Sequence, residues 1–132
     1  MRDARQLFNC MEQIVETNEK QWNNPLGHID YELEANMLQE ELNEFKEAVG
    51  EVDRLDAIDD LWYVLVGTLH KMGLRPDLMV DSLQVVIDAN KQKNGTKDIN
   101  GKVSKDKDSF INPEPLLQDI LDKRKPFYGG SK

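Results

Sequence analysis

Apolar residues at Leu7, Met11 and Ile14, flanked by Phe8 and Val15, recur at three- and four-residue spacing, which predicts an amphipathic helix over about residues 3–21. Asn23, Asn24, Pro25 and Gly27 then crowd together as a breaker cluster and predict a loop. A second helix is expected over about 30–49, with Tyr31, Leu38, Leu42, Phe45 and Val49 on one face and Gly50 as its stop. The third segment, about 53–72, carries Leu55, Ile58, Leu61, Trp62, Val64, Leu65, Val66 and Leu69. It is apolar nearly all round and reads as a buried helix ended by Gly73.

Arg75-Pro76-Asp77 opens a fourth helix whose Leu78, Val80, Leu83, Val86 and Ile87 lead to Asn90. From Asn94 to Lys102 the chain is polar, rich in Gly and Lys and without helical periodicity, so a loop or flap is expected. Pro113 and Pro115 introduce a short last helix with Leu116, Leu117, Ile120 and Leu121. The pattern predicts an all-α fold: one domain over 1–132, an antiparallel four-helix bundle with a short C-terminal helix. Helix three is too apolar to stand exposed, so assembly as a homo-oligomer is expected.

Charge narrows the partners. The chain has 132 residues and a formal net charge of −8. A nucleic-acid polymer or an anionic membrane would find no basic footprint here. An acidic protein binds a polyphosphate only through cations placed between the two sets of negative charge. The one cysteine, Cys10, excludes an internal disulfide and a Cys-rich zinc site, and it suits a reducing compartment, the cytoplasm by default. The N-terminal stretch is polar and the run Leu61–Leu69 is too short to span a bilayer.

The chemistry concentrates in carboxylates. At 100° per residue Glu40, Glu41 and Glu44 share a quadrant of helix two, opposite its apolar stripe. Alone, such a face reads first as a solvated helix surface, since Glu-rich helix surfaces are common. Helix three makes the difference: Asp56, Asp59 and Asp60 stand among apolar residues, where ionised groups need compensation. Asp53 and Asp56 could simply favour the helix dipole, but Asp60 lies well inside the helix. Asp56 and Asp60, one turn apart, converge on one point, with Asp59 about 100° aside. Facing the Glu strip, they form an all-oxygen set suited to magnesium, with manganese as the second choice.

Glu40-Glu41-Leu42-Asn43-Glu44 followed by Asp56-Ala57-Ile58-Asp59-Asp60-Leu61-Trp62-Tyr63-Val64 and Gly67-Thr68 resembles the all-α nucleoside triphosphate pyrophosphohydrolases. That superfamily includes MazG proteins and dimeric dUTPases, and the likeness is strongest to its phosphoribosyl-ATP pyrophosphohydrolase-like branch. It extends through Asn90-Lys91-Gln92-Lys93 and Gly101-Lys102-Val103, and covers about 37–105. The common second motif carries Glu where this chain has Ala57, which leaves Asp56 or Asp59 as the partner of Asp60.

The resemblance implies magnesium-dependent cleavage of a nucleoside triphosphate between the α and β phosphates, giving monophosphate and pyrophosphate. It implies Glu41, Glu44, Asp56 and Asp60 as metal ligands, and Glu40, Glu41 and Glu44 as catalytic carboxylates. Asn90, Lys93 and Lys102, in a phosphate-contacting segment over about 90–105, would hold the substrate. A homodimer or homotetramer is implied as well. Three other readings remain open on the residues: dUTPase- or dCTPase-like specificity on this fold, a non-catalytic acidic helical interaction protein, and a metal-binding regulator that binds magnesium or manganese without turnover. Asn90 is otherwise a helix end, and Lys91 and Lys93 are favourable charges at the negative end of the dipole. Trp22 and Asn23 reach a base or simply pack in a core or interface, and His28 and His70 show no metal-pair or triad spacing.

Overall fold

A computed structural model of the chain describes residues 5–97, 103–105 and 112–124. It is all-α, as the periodicity predicts: α1 (Arg5–Lys20), α2 (Tyr31–Glu47), α3 (Gly50–Lys71), α4 (Pro76–Lys91) and α5 (Glu114–Asp122). Where a loop was expected, β1 (Lys93–Lys97) pairs antiparallel with β2 (Val103–Lys105) in a short ribbon, with an irregular register between Lys93 and Lys97. Two strands meeting across a short connection satisfy backbone groups that a polar segment without helical pattern would otherwise leave to water. No helix among the described residues is long and apolar enough to cross a membrane.

The chain divides into two compact units, one holding α1 to α3 and the other running from Asp77 through α4, the ribbon and α5. In the first, Val15, Leu26, Ile29, Ala57, Val66 and Leu74 form the core. Gly67 admits α1 to close range, since a Cβ there would stand 3.4 Å from the Asn18 amide nitrogen. The loop after α1 turns through Asn23, at φ 55°, and is pinned to the end of α3. Gly27 N–H donates to the His70 carbonyl (3.2 Å), and the His70 ring Nε2 lies 3.1 Å from the Asn24 carbonyl. Asp30 then caps α2 by accepting from Leu33 N–H (3.2 Å).

Gly50 does not stop α2. The helix ends at Glu47, and Gly50, at φ 85°, is the first residue of α3. A bend of only Ala48 and Val49 joins the helices; Asp53 secures it by accepting from Val49 N–H (3.3 Å). The expectation of a buried third helix fails within the single chain. Leu55, Ile58, Trp62 and Leu65 follow helical spacing along α3 and stand exposed, Leu55 by 63 % and Trp62 by 51 %. The face of α3 turned toward α2 and the cavity is instead the one carrying Asp60, Val64 and Lys71, with Gly67 set against Asn18 of α1.

Pro76 occupies the first turn of α4, where its missing N–H is harmless. In the second unit Met79, Ala89 and Ile120 are the buried apolar residues among those described. Asn112 accepts from Glu114 N–H (3.0 Å) at the start of α5.

Candidate active site

Positions 34, 37, 41 and 44 fall on one strip of α2, and positions 60, 64, 67 and 71 on one strip of α3. With the two helices antiparallel and joined by a tight bend, Glu41 and Glu44 come opposite Asp60 near the bend. Glu34 comes opposite Thr68 and Lys71 three turns further on. The result is a groove with two polar ends of different character.

At the first end Glu41, Glu44 and Asp60 each present a carboxylate oxygen, and these atoms all lie within 4.8 Å of one another. Burial, then a hydrogen bond with Glu44 and repulsion from Glu44, Asp60 and Glu40, holds the Glu41 carboxyl above its usual range. Burial, then repulsion from Asp56, Glu44 and Asp59, does the same for Asp60. Both shifts record negative charge without a counter-charge. Glu41 Oε2 is also buried without a hydrogen-bond partner among the described residues. Convergent hard oxygens, an orphaned buried acceptor and repelled charge together fit a divalent cation.

Asp56 is not part of this three-oxygen convergence. It lines an adjoining hollow of about 290 Å³ with Glu44, Glu47 and Asp53, and its charge reaches Asp60 through space. Ala57 is buried against the same hollow. Glu40 and Asp59 are exposed on the flanks, and each contributes charge to the pair they border. Asn90 lies in the second unit, exposed, its Nδ2 donating to the Val86 carbonyl (2.9 Å). The Lys93 side chain and Lys102 lie outside the described residues.

At the other end stands a group that the carboxylate pattern did not single out. Glu34 is 3 % exposed, accepting from Thr68 Oγ1 (2.8 Å) and pairing with Lys71 Nζ (3.0 Å); Lys71 is 8 % exposed. A cavity of about 540 Å³ connects the two ends, bounded by Asp60 at one and by Glu34 and Lys71 at the other. Trp22, Met37, Tyr63 and Val64 supply its apolar walls, and Asn18 and Asn24 further polar groups. The signal for Glu34 was present: it precedes Glu41 by seven residues, two helical turns on the same strip. A first-turn Glu and a last-turn Lys are ordinary helix-end charges, however, and their pairing is a tertiary fact.

The sequence profile of the phosphoribosyl-ATP pyrophosphohydrolase family matches residues 4–85, which takes in α1, α2, α3 and the first part of α4. Among curated proteins nothing matches the chain.

Proposed function

The chain belongs to the phosphoribosyl-ATP pyrophosphohydrolase family and is by kind a nucleotide pyrophosphohydrolase; from that premise we propose that it hydrolyses a nucleoside triphosphate at the α–β anhydride, releasing monophosphate and pyrophosphate. The observation that carries this reading is the meeting of Glu41, Glu44 and Asp60 at one end of a cavity wide enough for a nucleoside.

Glu41, Glu44 and Asp60 would hold magnesium, or manganese in its place, with Asp56 in the adjoining hollow as the further ligand the resemblance implies. A divalent cation there would neutralise polyphosphate charge and lower the pKa of a nearby water. As a water oxygen bonds to phosphorus and the anhydride P–O bond breaks, with pyrophosphate leaving, Glu40, at the exposed rim beside Glu41, takes the proton released. Trp22, Met37 and Tyr63 keep solvent from the nucleoside and orient it. For Asn90, Lys93 and Lys102 the support as phosphate contacts is the resemblance of their sequence segment alone. The exposed apolar strip of α3 supports a homo-oligomer.

The test is pyrophosphate release from a panel of purine and pyrimidine, ribo- and deoxyribonucleoside triphosphates, with and without magnesium. Magnesium-dependent release that falls at least 100-fold, by order of magnitude, in both Glu41→Gln and Asp60→Asn is the expected result. No release from any member, with wild type and variants equally folded, would overturn the assignment. The same panel separates a broad triphosphatase from one restricted to dUTP or dCTP.

A further inference from the structure

We propose that Lys71, held by Glu34 and Thr68 at the far end of the cavity, reads the nucleobase and selects bases that carry a ring carbonyl oxygen there over those with an amino group. The inference rests on the reading of the cavity as a nucleoside site and adds the chemistry of its closed end.

An ammonium group has three N–H donors and no acceptor. Among the described residues the one hydrogen-bond partner of Lys71 is Glu34 Oε2, at 3.0 Å. A cation so nearly excluded from water needs the rest of its donors met, and Lys71 borders the cavity. The neighbours do not meet that need. Glu34 already accepts from Thr68 through Oε1 and from Lys71 through Oε2. The Asn18 amide donates to the Ile14 carbonyl (3.0 Å), and Asn24 Nδ2 turns toward Asn18 Oδ1 (3.5 Å). The Lys71 ammonium therefore keeps donors for an acceptor on a ligand in the cavity.

Geometry points to a base as the supplier. Asp60 and Lys71 are eleven residues apart on one helix, a rise of roughly 16 Å, comparable to the length of an extended nucleotide. A phosphate at the carboxylate end puts the base toward the Lys71 end, with the Trp22 ring and the Met37 side chain among the apolar walls of the cavity. A carbonyl oxygen there accepts from Lys71. An exocyclic amino group in its place sets donor against donor and leaves the buried ammonium unmet, which is the arrangement that gives polar sites their strong discrimination.

The experiment measures binding of nucleoside 5′-monophosphates, which the proposed reaction does not consume, in the presence of magnesium. Trp22 fluorescence reports the occupancy, in a Trp62→Phe background so that one tryptophan remains. Two pairs isolate the feature: inosine against adenosine, and uridine against cytidine, each differing by oxo against amino on the same ring. The oxo member of at least one pair is expected to bind about ten-fold or more tightly, and that ratio to collapse toward one in Lys71→Met. Because Lys71→Met strands the Glu34 charge, the double variant Glu34→Gln with Lys71→Met is measured beside it, with thermal melts to establish that each is folded. A ratio near one in the wild type, or a ratio kept in the folded double variant, would overturn the proposal and leave the pair a packing device. Pyrophosphate release is scored separately, so a failed hydrolase assignment and a failed base-reading assignment give different results.

Discussion

At the level of single residues two titrations act on stability with opposite signs. Glu41 and Asp60 are held above their usual values of 4.5 and 3.8, so in that range the folded chain binds more protons than the unfolded chain. Stability then falls as pH rises through the shifted values, and the penalty is fully present above them unless a cation is bound. His70 is wholly buried and its proton affinity is lowered from 6.5, chiefly by burial, against a weaker opposing pull from the Asn24 carbonyl and Glu19. Its contribution is present above 6.5 and is lost as pH falls from there through the lowered folded value. Metal-free Glu41→Gln is therefore expected to melt higher than the wild type at pH 7, and to lose most of the stabilisation that magnesium gives the wild type. Melting curves with and without magnesium read both effects; a variant still stabilised by magnesium as strongly as the wild type would remove Glu41 from the ligand set. His70→Gln should flatten the acid-side loss between the His and carboxylate ranges, checked by melting temperature against pH. Helical periodicity made Glu41, Glu44 and Asp60 legible, because a shared strip is a local property. Glu34 and Lys71 were not, because each alone sits at a helix end where its charge already has an explanation.

At the level of elements, the sequence disclosed where helices run and misread what one of them faces. The apolar character of α3 is genuine, yet the face it turns into the cavity carries Asp60, Gly67 and Lys71, while Leu55, Ile58, Trp62 and Leu65 stand exposed. Hydrophobicity around a helix does not say which neighbour covers it, only that something must. The bend at Gly50 was misread for a related reason: a glycine after a helical pattern reads as a stop, and here positive φ launches the next helix instead. Gly67 is where the helix-to-helix distance is decided. Its missing side chain lets Asn18 sit buried on the wall of the cavity. Gly67→Ala puts a methyl 3.4 Å from the Asn18 amide, which Asn18 absorbs by a small shift. Gly67→Val forces the amide away and overpacks the junction, at a cost of about 1–3 kcal/mol. The valine variant is expected to melt lower and to bind nucleotide more weakly, with the alanine variant near wild type; equal behaviour of the two would show that α1 packs through other residues.

At the level of the whole molecule, the exposed strip of α3 bears on the proposed homo-oligomer. Val52, Leu55, Ile58, Trp62 and Leu65 recur at three- and four-residue spacing on one side of a 22-residue helix, and Leu42 of α2 stands exposed as well. Single exposed leucines are ordinary on protein surfaces, whereas a row spanning nearly four turns behaves as one patch, and water around such a patch favours association. A second copy is the occupant that needs no further ingredient, since a two-fold axis sets the same strip against itself. Sedimentation equilibrium is expected to give a dimer or tetramer for the wild type. The pair Leu55→Glu with Trp62→Glu would place like charges across the junction and shift the mass toward monomer by at least ten-fold in dissociation constant, or about 1.4 kcal/mol. The carboxylate end lies on the opposite strip of the same helix, so the variant also asks whether the site needs the assembly. Loss of magnesium-dependent turnover together with loss of mass would make the second copy part of the active unit. Retention of turnover by a folded monomer would confine the chemistry to one α2–α3 pair. A wild type that is monomeric at all accessible concentrations would break the argument from the strip itself.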